Sequence, residues 1–413
     1  MRLTISNSVG ALLVLNLVAS FLWIFGVESI RLLLLSGSGF CLLLLFYFRR
    51  SSVEIDILKF LVILLIVRGM LNFSMEDYIA TLAIDLSALG IITSFSVFHK
   101  ISYKYFVTVM TVGIIGILIF YLFTLQYVDF SLVLDSDLER RDMFTSIKQS
   151  DSEDQGSGYV VYHTQQLIMN YLVIFLLLLP IFIRSFNRLQ ITIILLATAA
   201  AFISYSAFYQ KRQSLVEFAL IIILTIIFHK KAFSHILPNN LLIYLLLIGT
   251  GIYFLISSDL LVNVFDRFQQ VSDLEDFDRL EEAVQVLGNF DVLDLILGKG
   301  LGYKAVNTPG GSILHIGYAN IFMKGGLLFL GYYLFQSFKN FIYCLRRSGE
   351  SPLFLTGCSI TVFSMVSLTY SPGYHWFLIS LVMGLSMFSR YFFEILHQSQ
   401  YYNDNFDPVS SGT

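Results

Sequence analysis

His315 is the residue of this chain best placed for proton transfer, because it stands where a glycine-punctuated polar loop meets a long apolar segment. The loop carries Gly298, Gly300 and Gly302, and the segment LHIGYANIFMKGGLLFLGYYL follows over 314–334. An imidazole titrates near neutrality and can take a proton from a hydroxyl. It can equally sit at an interface and bond only backbone or water. His315, Tyr318 and Phe322 share one face at the 3.6-residue period. Lys324 lies about nine residues into the segment, about 13 Å along a helix, where an amine is costly unless it faces a cavity or a partner. Gly325 and Gly326 beside it admit close helix packing or a break.

Two groups of cations could act on an anion. Lys211-Arg212 forms a tight turn between two apolar stretches. The pair either snorkels and sets topology, or presents a planar guanidinium fork to phosphate oxygens. Arg267 and Arg279 stand in a long loop among Asp266, Asp273, Glu275, Asp276, Asp278, Glu281 and Glu282. They either pair locally on a solvated face or project into a cavity facing the membrane. Asp85 and Glu217 are carboxylates within apolar stretches, suited to pairing with basic residues or to lining a polar cavity.

The elements that position these groups follow from composition. Of 413 residues, 56% are hydrophobic and 13% charged, with mean hydropathy +0.74. Soluble domains carry about 25% charged residues, so the chain reads as many spans rather than a soluble core. A net charge of −3 gives no basis for nucleic-acid binding. Cys41, Cys344 and Cys358 show no metal-ligand spacing and read as small buried hydrophobes. No cation-loop spacing or nucleotide fingerprint is evident, so no metal and no cofactor is expected.

A span takes about 20 apolar residues. That length gives about twelve candidates: 8–26, 29–48, 54–71, 77–98, 105–125, 165–183, 189–208, 213–229, 239–257, 314–337, 352–370 and 374–395. The fold expected is therefore an all-α polytopic transmembrane helix bundle over 1–395. Arg49-Arg50, Lys100, Lys104, Arg184, Arg188, Lys230-Lys231, Lys339 and Arg346-Arg347 alternate consistently with the spans. The positive-inside rule puts them in the cytoplasm with both termini. Two long loops, 126–164 and 258–313, then face outward. They carry eight acidic and three basic residues, and ten acidic and four basic, respectively. The second loop is expected to be partly helical, with an amphipathic stretch over 273–287, a stop at Gly288 and a further turn over Asp291–Leu297. Residues 396–413 read as a disordered tail.

With these features in place, the chain resembles the superfamily of polytopic glycosyltransferases that holds the O-antigen polymerases (Wzy) and O-antigen ligases. DRLEEAVQVLGNFDVLDLILGKGLG, residues 278–302, is similar to the family's arginine, amphipathic helix and glycine run. LHIGYANIFMKGGLLFLGYYL is similar to its histidine-led span, and QKRQSL to its basic residue between two spans. The likeness covers most of the length in topology and about 60 residues in motif. Two positions depart from the family pattern: Ile316 follows the histidine where asparagine is common, and Lys211 precedes the arginine where serine is common. Polymerases vary more widely than ligases, so the polymerase is the better fit.

The resemblance implies a GT-C-like bundle in a bacterial inner membrane, with a periplasmic active site and a large periplasmic loop. It implies an enzyme of lipopolysaccharide biosynthesis that transfers an undecaprenyl-diphosphate-linked oligosaccharide onto the next lipid-linked repeat unit. His315, Arg279 and Arg212 would be catalytic. Lys211, Arg267, Tyr318, Asn320, Lys324, Gly300 and Gly302 would bind substrate. Membrane lipid, a chain-length regulator (Wzz-like) and a flippase are the partners implied. A ligase of the same superfamily, and a flippase or transporter of lipid-linked oligosaccharide, are the competing expectations.

Overall fold

The computed structural model describes residues 5–22, 28–49, 52–72, 78–98, 102–126, 156–183, 186–209, 212–233, 284–303, 316–370 and 377–406. Among them every regular element is a helix. In order these are α1 Ile5–Leu22, α2 Glu28–Tyr47, α3 Val53–Leu71, α4 Tyr78–Ser94, α5 Tyr103–Leu125, α6 Gly156–Phe182, α7 Arg188–Tyr209, α8 Arg212–Phe233, α9 Val292–Leu297, α10 Gly317–Arg346, α11 Pro352–Tyr370 and α12 Phe377–Phe406. Each expected span falls on a helix except 239–257, which lies outside the described residues. Most of the two expected outer loops lies outside them too. Five helices are long and apolar enough to cross a membrane: Ser29–Tyr47, Tyr103–Leu125, Thr164–Phe182, Pro352–Thr369 and Leu378–Gln400. Shorter apolar helices accompany them. Large exposed apolar side chains such as Phe60, Met70, Val112 and Ile227 are what lipid-facing helices present, since hydrocarbon takes the place of a packed core.

The chain divides into two compact units, 1–106 with 277–413, and 107–276. In the first, α1, α2 and α4 meet through small and polar residues. Asn16 donates to Ser38 Oγ and accepts from Ser87 Oγ, all three buried. Gly39 and Gly90 let α2 and α4 touch backbone to backbone, since a Cβ on Gly90 would lie 2.7 Å from the Gly39 carbonyl oxygen. Close approach of this kind substitutes for hydrophobic collapse where the surroundings are already apolar. In α11 the hydroxyl of Thr361 bonds the Gly357 carbonyl of its own helix at 2.9 Å, and Ser364 bonds Tyr333 Oη of α10 at 2.8 Å.

The second unit is built on α6, whose Leu172, Val173 and Phe182 are fully buried. Gln165 donates to Thr124 Oγ1 of α5 at 3.1 Å, Tyr121 meets Ser204 of α7 at 2.7 Å, and Phe202 stacks on Phe218 of α8 at 4.9 Å.

Of the stretch 396–413 expected to be disordered, residues to Phe406 belong to α12, and 407–413 lie outside the described residues. Leu396 is fully buried, and Ser399 Oγ accepts from the backbone nitrogen of Tyr103 at 2.9 Å. Together these carry the helix past the point where hydropathy falls.

Candidate functional site

Within the first unit, the glycine run is a built element rather than a loose connection. Asp291 caps α9 by accepting from the Asp294 nitrogen at 2.6 Å, and Asp294 Oδ2 accepts from the Asp291 nitrogen at 3.4 Å. This reciprocal capping box fixes the first turn. The chain then turns through Gly298, Gly300 and Gly302, all at positive φ (73°, 89° and 77°). At Gly300 a side chain is excluded twice, by its φ and because a Cβ would overlap the Gly69 amide of α3. Leu301, 1% exposed, is drawn in by a bond from its nitrogen to the Leu65 carbonyl at 3.0 Å.

The opposite wall is the broken part of α10. Gly326 has φ 59° and ψ −164°, which interrupts the helix as the paired glycines suggested. The carbonyls just before the break accept from the loop instead: Met323 from the Lys299 nitrogen and Lys324 from the Gly300 nitrogen, both at 2.9 Å. A helix end buried in an apolar bundle needs such partners.

Charged groups close the arrangement. Asp294, 3% exposed at its side chain, accepts from Arg68 Nη2 at 2.6 Å and pairs with Lys299 Nζ. Arg68 also donates through Nε to the Gly298 carbonyl at 3.1 Å, and Asn72 donates to the Lys299 carbonyl at 2.9 Å. Lys299 lies 5.2 Å from the Phe290 ring centroid and 6.0 Å from that of Tyr303, within cation–π range. On the inner side, Asp85 Oδ2 accepts from Lys324 Nζ at 2.7 Å and from the Gly302 nitrogen at 2.7 Å. Three cations, Arg68, Lys299 and Lys324, thus stand among three carboxylates, Asp85, Asp291 and Asp294, beside a helix break.

The expected site residues fall in three places. Gly300, Gly302 and Lys324 belong to this assembly. The glycines there serve close packing, Gly300 against α3 and Gly302 against the Tyr78 ring, and the Lys324 ammonium is engaged by Asp85. Tyr318 and Asn320 begin α10, but Tyr318 donates its hydroxyl to the Met365 carbonyl of α11 at 2.8 Å, and Asn320 is 1% exposed. His315, Arg279, Arg267 and Lys211 lie outside the described residues. Arg212 opens α8 in the second unit, described by its backbone alone. Glu217 is buried in that same helix.

Sequence reasoning left Arg68, Asp294 and Lys299 out of the site. Arg68 reads as an interruption of the third span, and the other two as ordinary loop charges. A cation in the last turn of an apolar helix is itself a signal that a partner waits outside that helix. No protein-family model, no curated protein and no solved structure matches this chain.

Proposed function

We propose that this chain is a polytopic inner-membrane glycosyltransferase that polymerises undecaprenyl-diphosphate-linked repeat units on the periplasmic face, with about twelve spans. The resemblance to the O-antigen polymerases supplies the reaction. The observation that supports it most is the cluster of cations Arg68, Lys299 and Lys324, held with their carboxylate partners around a rigid glycine run that packs on α10 beside its break. A diphosphate leaving group needs such cations, because charge develops on it as the glycosidic bond breaks.

In this reaction the acceptor hydroxyl oxygen forms a bond to the donor's anomeric carbon, and the bond from that carbon to the diphosphate breaks. The bonding pair leaves with polyprenyl diphosphate, and the hydroxyl proton passes to His315. Arg279 and Arg212 clamp the diphosphate, with Lys211 and Arg267 in support.

The test is elongation of a defined lipid-linked repeat unit by purified protein, with and without chelator. Ladder formation that persists with chelator and falls at least about a hundredfold in His315→Ala or Arg279→Ala is the expected result. Transfer of a single unit to a lipid A–core acceptor without elongation would replace the polymerase by a ligase. Movement of the lipid-linked unit across vesicles with no new glycosidic bond would leave only transport.

A further inference from the structure

The opposite end of the first unit carries a second cationic arrangement that the proposed reaction does not use. Arg49 follows α2, and its guanidinium carbon lies 4.9 Å from the centroid of the Tyr391 ring. Arg390 lies 5.8 Å from the same ring and 5.0 Å from that of Tyr343. Two guanidinium groups therefore lie against one aromatic ring, within about a Debye length of each other. Among the described residues neither pairs with a carboxylate. The nearby acids are engaged elsewhere: Glu54 with Lys339, Glu394 with Arg347 and Tyr343. Lys59 adds a third cation by donating to the Arg49 carbonyl at 3.1 Å, with only a loose 3.9 Å contact to Asp56. The Nη1 of Arg49 is closed to solvent and has no partner among the described residues. The flanking stretches 50–51 and 99–101 contain no acid.

The surface leading to this point is apolar. Phe40, Leu44 and Phe48 are 55%, 40% and 85% exposed, and their spacing of four residues puts them on one face of α2. Arg49 follows Phe48 directly in the chain, just past the end of α2. A headgroup phosphate at the guanidinium pair, with an acyl chain along this face, satisfies both halves of the site at once. A free anion would leave the apolar half without a role.

We propose that Arg49 and Arg390, which both lie against Tyr391, bind the phosphate of an anionic phospholipid whose acyl chain lies along Phe40, Leu44 and Phe48. The site takes an anionic glycerophospholipid of the leaflet at this end, which the Lys/Arg bias makes the cytosolic one. Guanidinium forks match phosphate oxygens, and basic groups at a membrane edge favour anionic lipid.

The experiment uses the full chain in detergent. The shift in thermal midpoint is recorded on adding phosphatidylglycerol, phosphatidylcholine with the same acyl chains, glycerol 3-phosphate or inorganic phosphate, and native mass spectrometry counts retained lipid. The expected result is a shift and a retained lipid with phosphatidylglycerol alone, and binding weakened about tenfold in Arg390→Gln, a change at an exposed side chain, and further in Arg49→Gln/Arg390→Gln. Equal responses to the two phospholipids would overturn the proposal, as would unchanged binding in Arg390→Gln. A shift of the same size with inorganic phosphate or glycerol 3-phosphate would overturn the lipid and leave a free-anion site.

Discussion

The two ends of the first unit handle charge in opposite ways. At the glycine-run end the charges are few and mostly buried, and Asp85 and Asp294 each serve at least two donors: Asp294 takes Arg68 and Lys299, and Asp85 takes Lys324 and the Gly302 amide. At the basic end the charges are more numerous and half exposed. Lys339 meets Glu54, Arg347 meets Glu350 and Glu394, and arginines rest on Tyr343, Phe354 and Tyr391. Both ends join distant segments: Arg68 and Asp294 are 226 residues apart and Asp85 and Lys324 239, and at the basic end Glu54 and Lys339 are 285 apart. Desolvated ions tolerate no missing partner, whereas rim ions exchange theirs for water. The first arrangement therefore fixes geometry, and the second leaves cations to spare for a ligand.

The sharpest way to break the comparison is to remove one member of the Asp85–Lys324 pair. Lys324→Ala or Asp85→Ala leaves a buried charge alone, and a loss of about 3–5 kcal/mol is expected. The apolar-leaning double variant Asp85→Asn/Lys324→Met should recover much of it. Denaturant titration in detergent reads both, and a double variant no more stable than the singles would show that the pair is not the unit. A smaller effect, about 1–3 kcal/mol, is expected for Gly300→Ala, where φ is 89° and a Cβ would overlap the Gly69 amide. The same substitution at Gly331, where a Cβ meets nothing within 4 Å, should be close to neutral.

The smallest effects belong at the basic end. Glu350 is exposed, and Arg347 holds its carboxyl below the ordinary carboxylate range. A folded-state value that is depressed means that any stabilisation is present at neutral pH and lost as the pH falls through that value. Glu350→Gln should therefore leave the thermal midpoint at pH 7 nearly unchanged, and the remaining difference should vanish below about pH 4. A large midpoint change at pH 7 would place this end with the buried one.

Much of the helical scaffold could be read from runs of apolar residues, because a span announces itself by length alone. The break at Gly326 and the helical turn over Asp291–Leu297 were legible too, since each rests on local chemistry. The Arg68–Asp294–Lys299 assembly was not. Its members are far apart in sequence, and what makes them a unit is burial in a shared place, which no local pattern records. The Asp85–Lys324 pair was visible only as two unexplained charges in apolar stretches. At the end of α12, falling hydropathy hid a helix that Leu396 and Ser399 anchor.

The glycine run completes the hydrogen bonding of α10, for its Lys299 and Gly300 amides cover carbonyls that the break leaves over. Because this turn precedes α10 in the chain, the ribosome delivers the cover before the helix that needs it. A nascent α10 can thus pack into its unit with its broken ladder already mended. A chain shortened across 292–302 would bury those carbonyls without partners, at about 1–3 kcal/mol for each, and the defect would be felt as soon as α10 packs.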